Sequence, residues 1–87
     1  MNSIIMGFDF GMRKIGVAVG QKITKTASGL TVVQAFDGIP RWEYLDKIVL
    51  GWQPEIFIVG LPLNMDGSDS EMSKKAHRFS KRISSRY

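Results

Sequence analysis

The chain has 87 residues, no cysteine, and twelve Lys and Arg against eight Asp and Glu, for a net charge of +4 and an isoelectric point near 9.7. That length supports one compact core, and the lack of cysteine excludes disulfides and thiolate metal sites. The basic balance favours a polyanion, nucleic acid ahead of an anionic membrane surface, and with neither a leader pattern nor an apolar run long enough to span a bilayer, an unprocessed cytoplasmic protein is expected.

Ile4 to Phe10 is nearly continuously apolar, which predicts a central strand covered on both faces. After the short turn Gly11-Met12-Arg13-Lys14, the bulky residues Ile15, Val17 and Val19 alternate with Gly16, Ala18 and Gly20, the pattern of a second, antiparallel strand. The polar, basic segment Gln21 to Thr26 leads into a third strand from about Ala27 to Ala35, where Thr31 and Gln34 suggest a sheet edge.

The period then changes. Asp37-Gly38 marks a turn, Pro40 suits the first position of a helix, and Trp42, Leu45, Ile48, Val49 and Trp52 share one helical face until Gly51 and Pro54 close it. Ile56 to Val59 is a short buried strand. Leu61 to Gly67 is a loop by composition, and Ser68 with Glu71 predicts a capping box before a helix whose apolar positions are Met72, Ala76, Phe79 and Ile83. The predicted fold is an α/β mixed sheet with element order β-β-β-α-β-α. A right-handed crossover gives strand order 3-2-1-4. Asp9 then ends the first strand beside the loop from Gly60 to Asp66, at the carboxyl edge where open α/β sheets carry their sites.

Two stretches, "FDFGMRKIGVAVG" at Phe8 to Gly20 and "WQPEIFIVGLPLNMDGS" at Trp52 to Ser68, resemble the YqgF (RuvX) family of bacterial proteins, described as Holliday junction resolvases and pre-16S rRNA nucleases of ribonuclease H-like fold. With the helix from Lys74 to Arg82, the resemblance covers essentially the whole chain. It implies metal-dependent phosphodiester hydrolysis, with Asp9 as a catalytic, metal-binding carboxylate and Mg²⁺ or Mn²⁺ as cofactor. Such hard cations need carboxylate oxygens on rigid elements, and a central strand end is one. Gly11 leaves room for a phosphate to approach the backbone. Gly11, Asn64 and Asp66 are the expected site-adjacent positions.

The family runs on past the equivalent of Tyr87 into a strand bearing an Asp-Glu-Arg motif and a final helix with another aspartate. This chain holds neither. It is therefore expected to be a single, incomplete ribonuclease H-like domain over residues 1–87, inactive alone, with an unpaired fourth-strand edge that invites homo-oligomers through that edge or through exchanged elements. The alternative is a noncatalytic nucleic-acid-binding or oligomer-forming module.

Other residues carry competing readings. Asp9 could simply begin a turn. A kinase "DFG" at Asp9 to Gly11 lacks its catalytic loop, and the phosphate-binding hairpin of the actin and sugar-kinase group lacks its second domain. Arg13 and Lys14 could hold phosphates or form a solvated tip. Lys74, Lys75, Arg78, Lys81, Arg82 and Arg86 lie opposite the last helix's apolar stripe, where they could track a nucleic-acid backbone or simply stay wet. Gly16, Ala18 and Gly20 suit a closely packed helix. His77 reads as a surface residue, and Trp42 and Trp52 read as core.

Overall fold

The computed structural model describes residues 3–87. A five-stranded mixed sheet carries two helices: β1 (Ile4–Asp9), β2 (Lys14–Gln21), β3 (Thr26–Phe36), β4 (Ile39–Pro40), α1 (Trp42–Trp52), β5 (Ile56–Val59) and α2 (Glu71–Arg86). The strands lie in the order β4-β3-β2-β1-β5, antiparallel except for the parallel β1–β5 pair. Chain alternation sets the two faces. Met6 and Phe8 of β1, Ile15, Val17 and Val19 of β2, and Val33 of β3 point to one side, where they bury against Leu45 of α1 and Ala76, Phe79 and Ile83 of α2. Phe79 anchors this core, edge-on to Phe8 at 5.3 Å between ring centroids and tilted against Phe10 at 5.4 Å.

Both helices lie on that side, so the expectation that β1 is covered on both faces is corrected. The other face of the sheet consists of Ile5, Gly7 and Asp9, with Gly16, Ala18 and Gly20 paired opposite them and Ile56 and Ile58 on the flank. Its side chains are small or aliphatic, and Ile58 is 53% exposed. An apolar run identifies a buried strand but does not show which face has a cover.

Four local expectations also change. Pro40 belongs to β4, not to the first turn of α1. Asp37 and Gly38, both at positive φ (53° and 79°), make a tight turn that folds β4 back on β3. Arg41 is the helix N-cap without a side-chain bond, and the left-handed C-cap is Gln53 while Gly51 lies inside the helix. Trp52, at the end of the stripe, is 36% exposed. The cap of α2 is Ser70, whose hydroxyl accepts from the Ser73 N–H at 2.9 Å; Ser68, the expected cap, sits in the preceding loop.

A polar clasp joins the helices. The Arg86 guanidinium donates to both Asp46 carboxylate oxygens, at 2.8 and 2.6 Å, and lies 4.5 Å above the Trp42 ring. The Tyr87 hydroxyl donates to Asp46 at 2.6 Å while its ring stacks on Phe57 of β5. These hydrogen bonds hold the Asp46 carboxyl down at about 2. Burial and the Asp46 contact push the Tyr87 phenol above its usual range. Among the described residues, no helix is long and apolar enough to cross a membrane.

Candidate functional site

Asp9 is the last residue of β1. Because Phe8 and Phe10 on either side turn into the core, its carboxylate is delivered to the uncovered face. Directly across the ladder stands Gly16, where an added Cβ would come within 3.4 Å of the Asp9 Cβ. The bare position leaves the carboxylate open to approach from the side. On the other flank, β5 ends at Val59, and the Gly60 N–H donates to the Phe8 carbonyl at 3.2 Å. Asp9, Gly16 and Gly60 therefore stand in a row at the carboxyl edge. They line one end of a trough of about 710 Å³ whose floor is Gly7, Ala18 and Ile58. Among the described residues, the Asp9 side chain makes no ion pair or hydrogen bond, so its oxygens are available to a ligand.

The loop after Gly60 is close in sequence but self-contained. Leu63 bridges Asp69, the Asn64 amide donates to the Ser68 hydroxyl and the Asp69 carbonyl, both at 3.2 Å, and Asp66 accepts from the Ser68 hydroxyl at 2.6 Å and its N–H at 2.9 Å. Those two bonds, the hydroxyl's first, lower the Asp66 pKa. Asn64 and Asp66 are thus committed to shaping their own turn and do not line the trough that holds Asp9. The Ser70 hydroxyl, donating to the Pro62 carbonyl at 2.6 Å, ties the loop's start to the N-terminus of α2.

A divalent metal centre for phosphodiester chemistry needs several hard oxygen donors around one point. Asp9 fits as one such donor, exposed on a rigid strand end. No group of three or more His, Cys, Asp and Glu among the described residues could hold a metal, so these residues do not fit a complete centre.

The expected nucleic-acid contacts fall into separate places. Arg13 and Lys14 sit exposed at the β1–β2 turn, just past Asp9. The cations of α2 are on the helix-covered side, opposite Asp9. Lys74 pairs with Glu71 at 3.3 Å and Arg86 is held by Asp46, whereas Lys75, Arg78 and Arg82 face a cleft against the β3–β4 turn, and Lys81 opens beside Trp42. His77 is exposed, lining a shallow surface hollow with Phe57 and Ser80. Trp42 is half-buried beneath Arg86. The parallel crossover set the start of the Gly60 loop beside Asp9, as expected from the sequence, whereas Gly16 as its neighbour across the ladder was not singled out. The link from Asp46 to Arg86 and Tyr87 spans forty residues and more and carries no local signal.

A model of the family described as "RuvX: Holliday junction resolvase" matches residues 3–87. Similar curated proteins are named "Putative pre-16S rRNA nuclease". One from Shewanella denitrificans is 49% identical over 87 residues, covering 100% of this chain and 62% of that protein. One from Haemophilus ducreyi is 49% identical over 87 residues, covering 100% of this chain and 63% of that protein. One from Pseudomonas paraeruginosa is 49% identical over 84 residues, covering 97% of this chain and 58% of that protein. The chain thus spans about three fifths of the length of these relatives.

Proposed function

The chain belongs to the RuvX family, and on that premise we propose that it acts in metal-dependent endonucleolytic cleavage of nucleic acid, branched DNA or precursor 16S rRNA, with Asp9 as one of the metal-binding acids. The observation that carries this reading is the unpartnered Asp9 carboxylate, held at the carboxyl end of a central strand between Gly16 and Gly60. Mg²⁺ or Mn²⁺ would supply Lewis-acid stabilisation of charge on the phosphodiester oxygens. Asp9 contributes a fixed anionic oxygen, Gly11 and Gly16 keep side chains out of the way, and Arg13 and Lys14 stand where a substrate phosphate would pass. Because no group of three or more His, Cys, Asp and Glu among the described residues could hold a metal, and Asp9 is the one acid lining the trough, cleavage needs further carboxylates, such as those of the Asp-Glu-Arg strand that the family resemblance implies.

The same lack of an acid cluster favours one second reading, a noncatalytic nucleic-acid-binding module. Titration with Mn²⁺, followed by incubation with a four-way DNA junction and a precursor 16S rRNA fragment, separates the two. The nuclease reading expects weak Mn²⁺ binding that Asp9→Asn abolishes, and no cleavage by the 87-residue chain alone. Binding of nucleic acid that is salt-sensitive but indifferent to metal and to Asp9→Asn favours the module. Robust cleavage by the chain alone, lost in Asp9→Asn, would show that no further acids are required.

A further inference from the structure

On the helix-covered side of the same sheet edge, α2 passes the β3–β4 turn and leaves a cleft of about 130 Å³. Phe10 and Met12 form its apolar floor, and Lys75, Arg78 and Arg82 line it from the helix at successive turns. The opposite wall is rigid: the Gly38 N–H donates to the Met12 carbonyl at 2.9 Å, and the Ala35 N–H to the Arg13 carbonyl at 2.8 Å. Ion pairs among the described residues join Lys22 to Glu55, Lys74 to Glu71 and Arg86 to Asp46, and none engages these cations. Asp37 is the one acid lining the cleft, so three positive charges there face a single negative one.

We infer that this cleft binds one backbone phosphate of the nucleic acid, at a site distinct from the Asp9 face. Size is compatible with it: a cleft of about 130 Å³ has room for a single oxyanion. Chemistry supports it as well, because guanidinium forks and an ammonium over an apolar floor recognise phosphate oxygens by charge-assisted hydrogen bonds. Position joins it to the proposed chemistry. Phe10, in the floor, directly follows Asp9 and points to the opposite face, and the turn bearing Arg13 and Lys14 lies between the two sites. A strand held in the cleft therefore bends around the carboxyl edge of the sheet to reach Asp9. The assignment rests on the nucleic-acid reading above, and goes beyond it by fixing a second anchoring point and a direction of approach.

The test is fluorescence anisotropy of a labelled four-way DNA junction between 50 and 200 mM salt, without metal, a range over which phosphate contacts weaken strongly. Lys75→Ala/Arg78→Ala/Arg82→Ala is expected to lower affinity about tenfold at the low-salt end and to reduce the salt slope by about one. Lys22→Ala/Lys25→Ala/Lys47→Ala, which removes the same charge elsewhere, is expected to change the slope far less. Thermal melts verify that both variants fold. If the wild type binds and the two triple variants weaken it alike, the cleft assignment fails while the nucleic-acid reading stands. Should the wild type not bind the junction or a precursor rRNA fragment, both fail as statements about nucleic acid. Inorganic phosphate monitored by NMR at the Met12 and Gly38 amides supplies a readout free of cleavage: shifts that the cleft variant removes support the site, and their absence in the wild type overturns it.

Discussion

Replacing Gly11 with alanine is expected to destabilise the protein through a single contact. A Cβ built there lies 2.5 Å from the Lys14 backbone carbonyl oxygen, roughly an ångström short of comfortable contact. That oxygen has little freedom to retreat. Lys14 opens β2 in register with Gln34, and the neighbouring Arg13 carbonyl accepts from the Ala35 N–H at 2.8 Å, so the turn is fastened to β3. Overpacking of this kind costs about 1–3 kcal/mol, offset in part by ~0.4–1 kcal/mol from the stiffer unfolded chain. A net loss of about 1.5 kcal/mol lowers the melting temperature by roughly 6–12 °C in a domain of this size. Gly51→Ala is the control. It lies in the last turn of α1, nothing stands within 4 Å of its built Cβ, and alanine there is expected to gain about 0.8–1 kcal/mol and raise the melting temperature. Circular dichroism melts of the two variants check the pair. A Gly11→Ala protein that melts at or above the wild type would refute the steric argument.

Phe79→Ala removes a fully buried ring that meets both Phe8 and Phe10, and is expected to cost about 3–5 kcal/mol, a large part of the roughly 4–13 kcal/mol available to 87 residues. Urea unfolding reads the loss as a collapse of the transition midpoint. Asp46, lowered in the folded state to about 2 by Arg86 and Tyr87, contributes stability that is present above its unfolded value of 3.8 and lost as pH falls through about 2. The melting-temperature gap between wild type and Asp46→Asn is therefore expected to shrink from pH 5 to pH 2; a constant gap would contradict the clasp. The outer edge of β5 has no strand partner among the described residues, so concentrated protein is expected to self-associate there, and Ile58→Lys to reverse it in light scattering. A monodisperse wild-type monomer at high concentration would overturn that expectation.

Local pattern made the elements legible where side-chain period and burial agree. Ile15, Val17 and Val19 alternate as read, and Ala76, Phe79 and Ile83 form the buried stripe of α2. Boundaries set by backbone geometry were less legible. Asp37-Gly38 announced a turn, yet whether Pro40 behind it entered a strand or a helix depended on pairing with Ala35, which proximity in sequence cannot express. The Ser68–Glu71 spacing set the cap of α2 two residues early: the helix begins at Glu71, so Ser70 directly before it is the cap, while Ser68 bonds Asp66 in the loop. At the candidate site, Asp9 stood out as a lone carboxylate ending an apolar strand. Its separation from the basic stripe of α2 followed only from knowing that both helices share one face.

One-sided coverage also governs how the protein meets temperature. A domain of 87 residues with an ordinary share of buried apolar surface has an unfolding heat capacity of about 1.0–1.3 kcal/mol/K. On the opposite face Ile58 is exposed and Ile5, Gly7 and Ala18 are only partly buried in the native state, so these residues add less than core residues do when the chain unfolds. A smaller heat-capacity change flattens the stability curve. Temperature then alters stability slowly, while a single lost contact on the helix side moves the melting point far.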